Sequence, residues 1–266
     1  MFIFEAVSCQ ALPDGVGNRP KVSAMNNGRA ADARSGADEA MRRLWGIPSA
    51  GRRGPRPTLT VPVIVDAALE LADRAGLAAV SMTSVGAALR CTSMALYRHV
   101  ASKEELVTLL VDRVAADGPA IPERLGWREG LERWTQIQID GVLAHPWLLD
   151  LPLASTPLGP HRARWIDRGF AVMRPLDLSL ADKGQIIALL SQYVLAEART
   201  QLEINNAARN PFADLSQVIH QLSDPEDLPN LFAAIAEDPA EADGATSGIE
   251  LILDGIAARV RHRRRS

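Results

Sequence analysis

Residues 81–105 read SMTSVGAALRCTSMALYRHVASKEE, and the run is punctuated in a way a single helix would not be. Hydroxyl residues interrupt it at Ser81–Ser84 and again at Thr92–Ser93, and Tyr97, Arg98, His99 and Lys103 crowd together after the second break. Ser81 suits the N-cap of a short helix over about 82–89, with Val85 and Leu89 inward. The turn falls at Arg90-Cys91. Thr92 then caps a helix over about 93–99, with Leu96 and Val100 inward, and Ser102 caps a fourth with Glu105 in capping-box register. Upstream, Thr60 and Pro62 suit a first helical turn, and Leu59 and Ile64 flank it at staple spacing. Ile64, Ala67, Ala68, Leu71 and Ala75 give one apolar face, and Gly76 stops the helix, predicting a helix over about 61–75. Two short helices joined by a tight turn and buttressed by a longer one make a helix-turn-helix.

That geometry assigns work to the helix after the turn. Its outward face and N-terminal end carry Ser93, Met94, Ala95, Arg98 and His99, with Tyr97 to one side. In this motif such residues reach base edges in the major groove. Hydroxyls, backbone N–H groups and cations around it hold phosphates. Ala95 is small enough to approach a thymine methyl. Lys103 adds charge beside the N-terminal dipole of the next helix, a place that suits an anion.

The order G-L-x-x-V-S-M at 76–82, V-x-x-A-L at 85–89 and T-S-M-A-L-Y-R-H-V-x-S-K-E-E-L at 92–106 resembles the TetR (tetracycline-repressor) family of transcriptional regulators. The match is specific over about 58–117. Beyond it, HPWLLDLP, the long helix at about 180–208 and SGIELILDGIAARV are similar to the tetracycline-repressor type of C-terminal domain. The resemblance implies that Tyr97, His99 and Lys103 contact or orient phosphates, that Ser93, Met94 and Ala95 face bases, and that Thr83 and Ser84 lie near the backbone. The chain departs from the family at three places. Arg90 stands where glycine is usual, at a cost of roughly 1–2 kcal/mol if the backbone is left-handed. Thr83 or Ser84 stands where an arginine is usual. Gly86 replaces an alanine, at roughly 1 kcal/mol of helix propensity.

The rest of the chain bounds the reading. Its 266 residues are 47% apolar and 23% charged, the balance of a globular protein, and the net charge of −3 means that DNA binding must come from a local site. Two cysteines, Cys9 and Cys91, allow no disulfide framework and fit a reducing, cytoplasmic setting. No apolar run approaches the roughly 18 residues of a membrane span, and MFIFEAVSC lacks the basic start of a signal peptide. Residues 1–56 are rich in Gly, Ala, Asn, Arg and Pro without sustained period. They read as a disordered extension ending in a basic arm (Arg52, Arg53, Arg56), either a plain linker or an arm laid on phosphates. The closing Arg259–Arg265 cluster reads as a solvated tail.

From about 127 onward helical period recurs at 127–144, 161–174, 180–208, 212–222, 229–237 and 246–262, with no strand alternation and no repeat. The expected fold is therefore all-α, with a 57–117 helix-turn-helix domain of three helices and a 118–266 helical domain, for which the resemblance implies ligand binding and dimerisation. Trp134, Trp147, His161, Trp165, Phe170 and Tyr193 are candidate linings for an apolar, aromatic ligand, each singly more ordinary as core. Ile186, Ile187, Leu190, Tyr193 and Val194 with Ile249, Leu251, Ile252 and Ile256 suit either a helical interface between two copies or the monomer core.

The five histidines show no metal-ligand spacing, no glycine-rich phosphate loop follows a strand, and no nucleophile with its base stands out, so no metal, cofactor or catalytic residue is expected. The sequence points to a homodimeric, small-molecule-responsive regulator, most simply a repressor, of a double-stranded DNA operator. The alternatives are a helical ligand-binding or protein-interaction module with weakened DNA binding, and a small-molecule-modifying enzyme on a helical scaffold.

Overall fold

The computed structural model describes residues 39–47, 59–153, 155–206, 219, 221–236 and 247–263. Among the described residues every regular element is helical. We label the helices α1 (Val61–Ala75), α2 (Met82–Ala88), α3 (Ser93–Leu96), α4 (Lys103–Val114), α5 (Trp127–Ala144), α6 (Pro160–Val172), α7 (Leu180–Asn206), α8 (Pro229–Ala236) and α9 (Gly248–Arg263). The expected helix at about 212–222, the arm arginines at 52, 53 and 56, and the last three residues fall wholly or almost wholly outside the described set. The chain packs as two units, one reaching to Ala120 and including Ala144–Arg168, the other holding Ile121–Leu143 and everything from Gly169. This division differs from a single cut in chain order after 117.

The first unit is built on α1. It starts after Thr60 and stops at Gly76, which adopts φ 77° and donates its N–H to Ala72 O. Two details differ from expectation. The Thr60 side chain makes no cap bond, and Pro62 in the first turn has no N–H to offer it. The buried face is Ile64, Val65, Ala68 and Ala72, while Ala75 is exposed, so the helix is rotated from the stripe read in the sequence. In the same unit Val80, Val85, Leu96, Val100, Leu106 and Leu110 are all fully buried, whereas Leu89 is only half-buried.

Within the extension expected to be disordered, residues 39–44 are helical. Leu44 is buried, and Arg43 forks the Glu105 carboxylate on α4, with Nε at 2.6 Å and Nη2 at 3.1 Å. Trp45 donates its indole N–H to Leu158 O at 3.2 Å. Met41, Leu44 and Trp45 have the i, i+3, i+4 spacing of a short amphipathic turn, a signal diluted by the flanking polar sequence.

Segment 144–168 is fastened to the same unit by two carboxylates. Asp73 on α1 accepts from Trp147 Nε1 at 2.8 Å and bonds His145 Nδ1 at 2.7 Å. Asp112, buried on α4, accepts the backbone N–H groups of His161 and Arg162 at 3.1 and 3.0 Å and bonds His161 Nδ1 at 2.8 Å. It thus caps α6 from a helix far away in sequence, where a carboxylate also favours the helix dipole. Arg162 closes the preceding loop on the carbonyls of Leu153, Thr156 and Pro157, and burial holds its pKa below the ordinary arginine value.

In the second unit α5 buries Leu131, Trp134, Ile137, Ile139 and Val142. α7 opens with a reciprocal cap, Ser179 Oγ accepting the Asp182 N–H and donating to its carboxylate. Ser247 and Glu250 do the same for α9. Arg259 and Arg263 on α9 both reach Asp182 at 2.9 Å, and Arg128 on α5 reaches Asp254 at 2.7 Å, tying the three helices together. Ile186, Ile187, Leu190, Val194 and Ile256 are buried here, which settles the monomer-core alternative for those five.

Candidate nucleic-acid interface

The site is assembled from three caps. Ser81 Oγ accepts the Ser84 N–H at 3.0 Å and Ser84 Oγ accepts the Ser81 N–H at 2.9 Å, a full capping box at the start of α2. Ser84 Oγ also donates to Ala79 O at 2.7 Å. Its hydroxyl is therefore committed within the fold, which leaves Thr83, exposed beside it, as the hydroxyl of that pair without a hydrogen bond among the described residues. Thr92 Oγ1 accepts the Ala95 N–H at 3.3 Å and starts α3. Ser102 Oγ accepts the Glu105 N–H at 3.1 Å and starts α4. Glu105 does not complete the expected box on Ser102. It reaches the Ala101 N–H at 2.7 Å and is held by Arg43, whose pKa the bond to Glu105 raises.

Between α2 and α3 the chain turns over four residues, 89–92. The Arg90 N–H bonds Ala87 O at 3.2 Å and the Cys91 N–H bonds Gly86 O at 2.9 Å, the paired terminal bonds of a Schellman motif. Arg90 takes its left-handed position at φ 53°, the only positive φ among the described non-glycine residues. It carries the roughly 1–2 kcal/mol such a residue costs there. Gly86 has a different reason to be glycine. A Cβ there would stand 2.9 Å from Cys91 O and 3.4 Å from Ser93 N, so the turn closes over α2 only because no side chain intervenes.

The α-helical part of the recognition element is shorter than expected, Ser93–Leu96, with Tyr97 still in helical conformation and His99 N–H bonded to Leu96 O at 2.8 Å. Leu96 and Val100 anchor it in the core. What projects is Met94, 72% exposed, with Thr83, Thr92, Tyr97, Arg98 and Lys103 also exposed and Ser93, Ala95 and His99 half-buried. A 72% exposed methionine has no packing reason to be there, so its thioether is available to a partner. From Arg74 to Lys103 the sequence holds Arg74, Arg90, Arg98 and Lys103 and no carboxylate, a run of excess positive charge in an acidic chain that ends at the exposed Glu104 beside Lys103. Arg90, Arg98 and Lys103 make no ion pair among the described residues.

The six aromatic candidates fall three to each unit. In the first, Trp147 is bound to Asp73, His161 to Asp112, and Trp165 lies under the Arg168 guanidinium at 5.1 Å. In the second, Trp134 is fully buried and stands 3.1 Å from where a Cβ on Gly169 would be, and Tyr193 packs in the same way on Gly248. Burial raises the Tyr193 pKa, helped by Glu197, and Phe170 is half-buried. Sequence reasoning missed Thr135, next to Trp134. It is 1% exposed, and its hydroxyl has no hydrogen-bond partner among the described residues. A threonine within a helix gives no sequence signal of that kind, since its hydroxyl ordinarily bonds back to the preceding turn.

Residues 64–110 match "Bacterial regulatory proteins, tetR family" and residues 119–260 match "Tetracyclin repressor-like, C-terminal domain". The chain is 32% identical over 232 residues to the HTH-type transcriptional repressor DrrR1 of Streptomyces coeruleorubidus, covering 83% of this chain and 86% of that one. It is similar to apo ActR of Streptomyces coelicolor, at 28% identity and TM-score 0.65, over 79% of this chain and 100% of that one. It is also similar to ActR in complex with actinorhodin, at 27% identity and TM-score 0.64, over 77% and 99%.

Proposed function

The chain belongs to the TetR family of bacterial regulatory proteins, and from that premise we propose that it works as a homodimer whose paired α3 helices read a palindromic operator released on binding an apolar, aromatic effector. It is a ligand-responsive, DNA-binding transcriptional repressor with an all-α fold. The observation that carries the proposal is the stretch from Thr83 to Lys103, free of carboxylates, with unpaired cations around a projecting Met94. Met94, Ser93 and Ala95 face bases. Thr83, Thr92, Tyr97, Arg98, His99 and Lys103 hold and orient phosphates. The 57–117 segment carries this reading head and the 118–266 segment carries effector binding and dimerisation. No described helix is long and apolar enough to cross a membrane, and the regulator works in the cytoplasm where its operator lies.

Effector binding centres on Trp134, Phe170 and Tyr193 of the second unit, with the buried Thr135 hydroxyl available for a polar group of the ligand. The effector releases DNA by binding better to a conformation whose recognition helices no longer fit the half-sites. The test is a salt titration against the gene's own upstream DNA, followed by addition of actinorhodin as a first aromatic probe. Specific binding with log K falling steeply against log salt supports the operator reading, and absence of binding at every salt concentration sinks it. A rise in Tm with actinorhodin, lost in Thr135→Val, supports the effector site. No rise with actinorhodin or with other aromatic probes removes it.

A further inference from the structure

The same terminal hydrogen-bond pattern occurs twice in the first unit, with one residue exchanged. At 39–47 the Gly46 N–H bonds Arg43 O at 3.0 Å, the Ile47 N–H bonds Arg42 O at 2.8 Å, and the left-handed residue is glycine at φ 63°. After α2 the bonds are Arg90 N–H to Ala87 O and Cys91 N–H to Gly86 O, and the left-handed residue is arginine at φ 53°. The cap itself needs only backbone, and glycine makes it without strain. The arginine therefore contributes nothing to the turn that glycine would not provide better.

Nor does the folded chain use the Arg90 side chain elsewhere. It is exposed, and it makes no hydrogen bond or ion pair among the described residues. Arg43, Arg113, Arg128, Arg259 and Arg263 are each taken by a carboxylate. Arg90 stands instead two residues before Thr92, the cap of the recognition helix, inside the stretch from Arg74 to Lys103 that holds no carboxylate. A strained residue kept at a binding element points to a use in the bound state. A guanidinium in reach of DNA backbone has an evident one, since its planar fork of donors matches phosphate oxygens.

We propose that Arg90 is a DNA-phosphate contact, carried on the turn between α2 and α3, and that this contact is what retains a side chain at the left-handed position. The proposal rests on the operator-reading surface proposed above, and its test separates the two. Arg90→Gly, Arg90→Ala and Arg90→Lys are titrated against operator and unrelated DNA over a salt series, with Lys103→Ala in parallel and a thermal melt for each protein. Expected are weaker binding of Arg90→Gly and Arg90→Ala to both DNAs and a log K against log salt slope flatter by about one unit per bound protomer. Arg90→Lys keeps the wild-type slope, because the charge stays. Arg90→Gly melts no lower than wild type, because it relieves the strained backbone. The alanine variant keeps that strain and loses the charge, so its slope reads the contact whatever the glycine variant does to stability. Wild-type slopes in Arg90→Gly and Arg90→Ala, with Lys103→Ala flattened, overturn the Arg90 contact and leave the operator reading standing. Wild-type slopes in all variants, Lys103→Ala included, overturn both.

Discussion

At the residue scale, the proposed interface separates side chains placed to read from side chains placed to hold. Met94 is exposed at the tip of a helix only four residues long, and Lys103 is exposed one element later beside the N-terminus of α4. Met94→Ala therefore changes which operator variants are preferred, by about 1–3 kcal/mol at the affected base pair, and leaves binding to unrelated DNA almost unchanged. Lys103→Ala weakens all DNA alike and flattens the salt slope by about one unit. Competition binding on a set of single-base operator variants checks both, and identical behaviour of the two proteins defeats the assignment. Gly86 gives a stability counterpart. By helix propensity alone Gly86→Ala gains roughly 1 kcal/mol. The new Cβ, however, meets the Cys91 carbonyl at 2.9 Å, and that atom belongs to backbone fixed by the turn. Gly86→Ala consequently shows no rise in Tm, and a rise of several degrees would mean that the turn yields more easily than its bonds suggest. The caps at Ser81, Thr92 and Ser102 were legible in the sequence because a hydroxyl before an apolar period has one dominant use. The commitment of Ser84 to Ala79, the reach of Glu105 past Ser102 and the buried Thr135 hydroxyl were not, since each depends on which of several nearby partners the tertiary structure presents.

At the scale of elements, the boundaries of α1, α5 and α9 and the start of α4 came close to those read from period and punctuation, because apolar spacing and capping residues agree there. The segment at 39–47 did not, because its helical turn is short and gains its order from Arg43 on Glu105 and Trp45 on Leu158, partners remote in sequence. The cap of α6 by Asp112 was hidden for the same reason. Asp182 shows how such a carboxylate responds to pH. Bonds from Ser179 and then Arg259 hold its pKa below the ordinary value, with Arg263 also in contact. A carboxylate with a depressed folded pKa adds stability above its unfolded pKa of about 3.9 and loses it as pH falls through the lower folded value. Asp182→Asn is therefore less stable than wild type at pH 7, and the gap closes as the pH falls below about 4. Denaturant melts at stepped pH measure this. A gap that stays constant through the acid range would assign the effect to the Ser179 cap rather than to charge. Added salt narrows the gap at neutral pH, because the arginine partners are partly exposed.

At the scale of the whole molecule, the proposed operator reading calls for a second copy. α3 offers a single exposed turn, and half-sites read by such elements are paired about 34 Å apart by a two-fold partner. The sequence suggested α7 and α9 as the place where copies meet, and burial divides its candidates. Ile186, Ile187, Leu190, Val194 and Ile256 are spent on the monomer core. Leu251 remains 62% exposed, and Leu180 and Leu189, which were not among those candidates, are 75% and 49% exposed on α7. Large aliphatic side chains left in water there are what a subunit interface covers, although such an interface needs on the order of 1,200 Å² of surface in total and so more than three leucines. Leu251→Glu places a charge on that surface without touching Leu253 or Ile256, which hold α9 in the monomer. The expected result is a protein that melts as an intact fold, sediments as a monomer and binds the full palindrome no better than an isolated half-site. The proposed dimer requires that wild-type protein, as the control, sediment as a dimer at the same concentration and prefer the palindrome strongly. If Leu251→Glu remains dimeric and keeps that preference, the copies meet elsewhere, and the exposed leucines of α7 and α9 need another explanation.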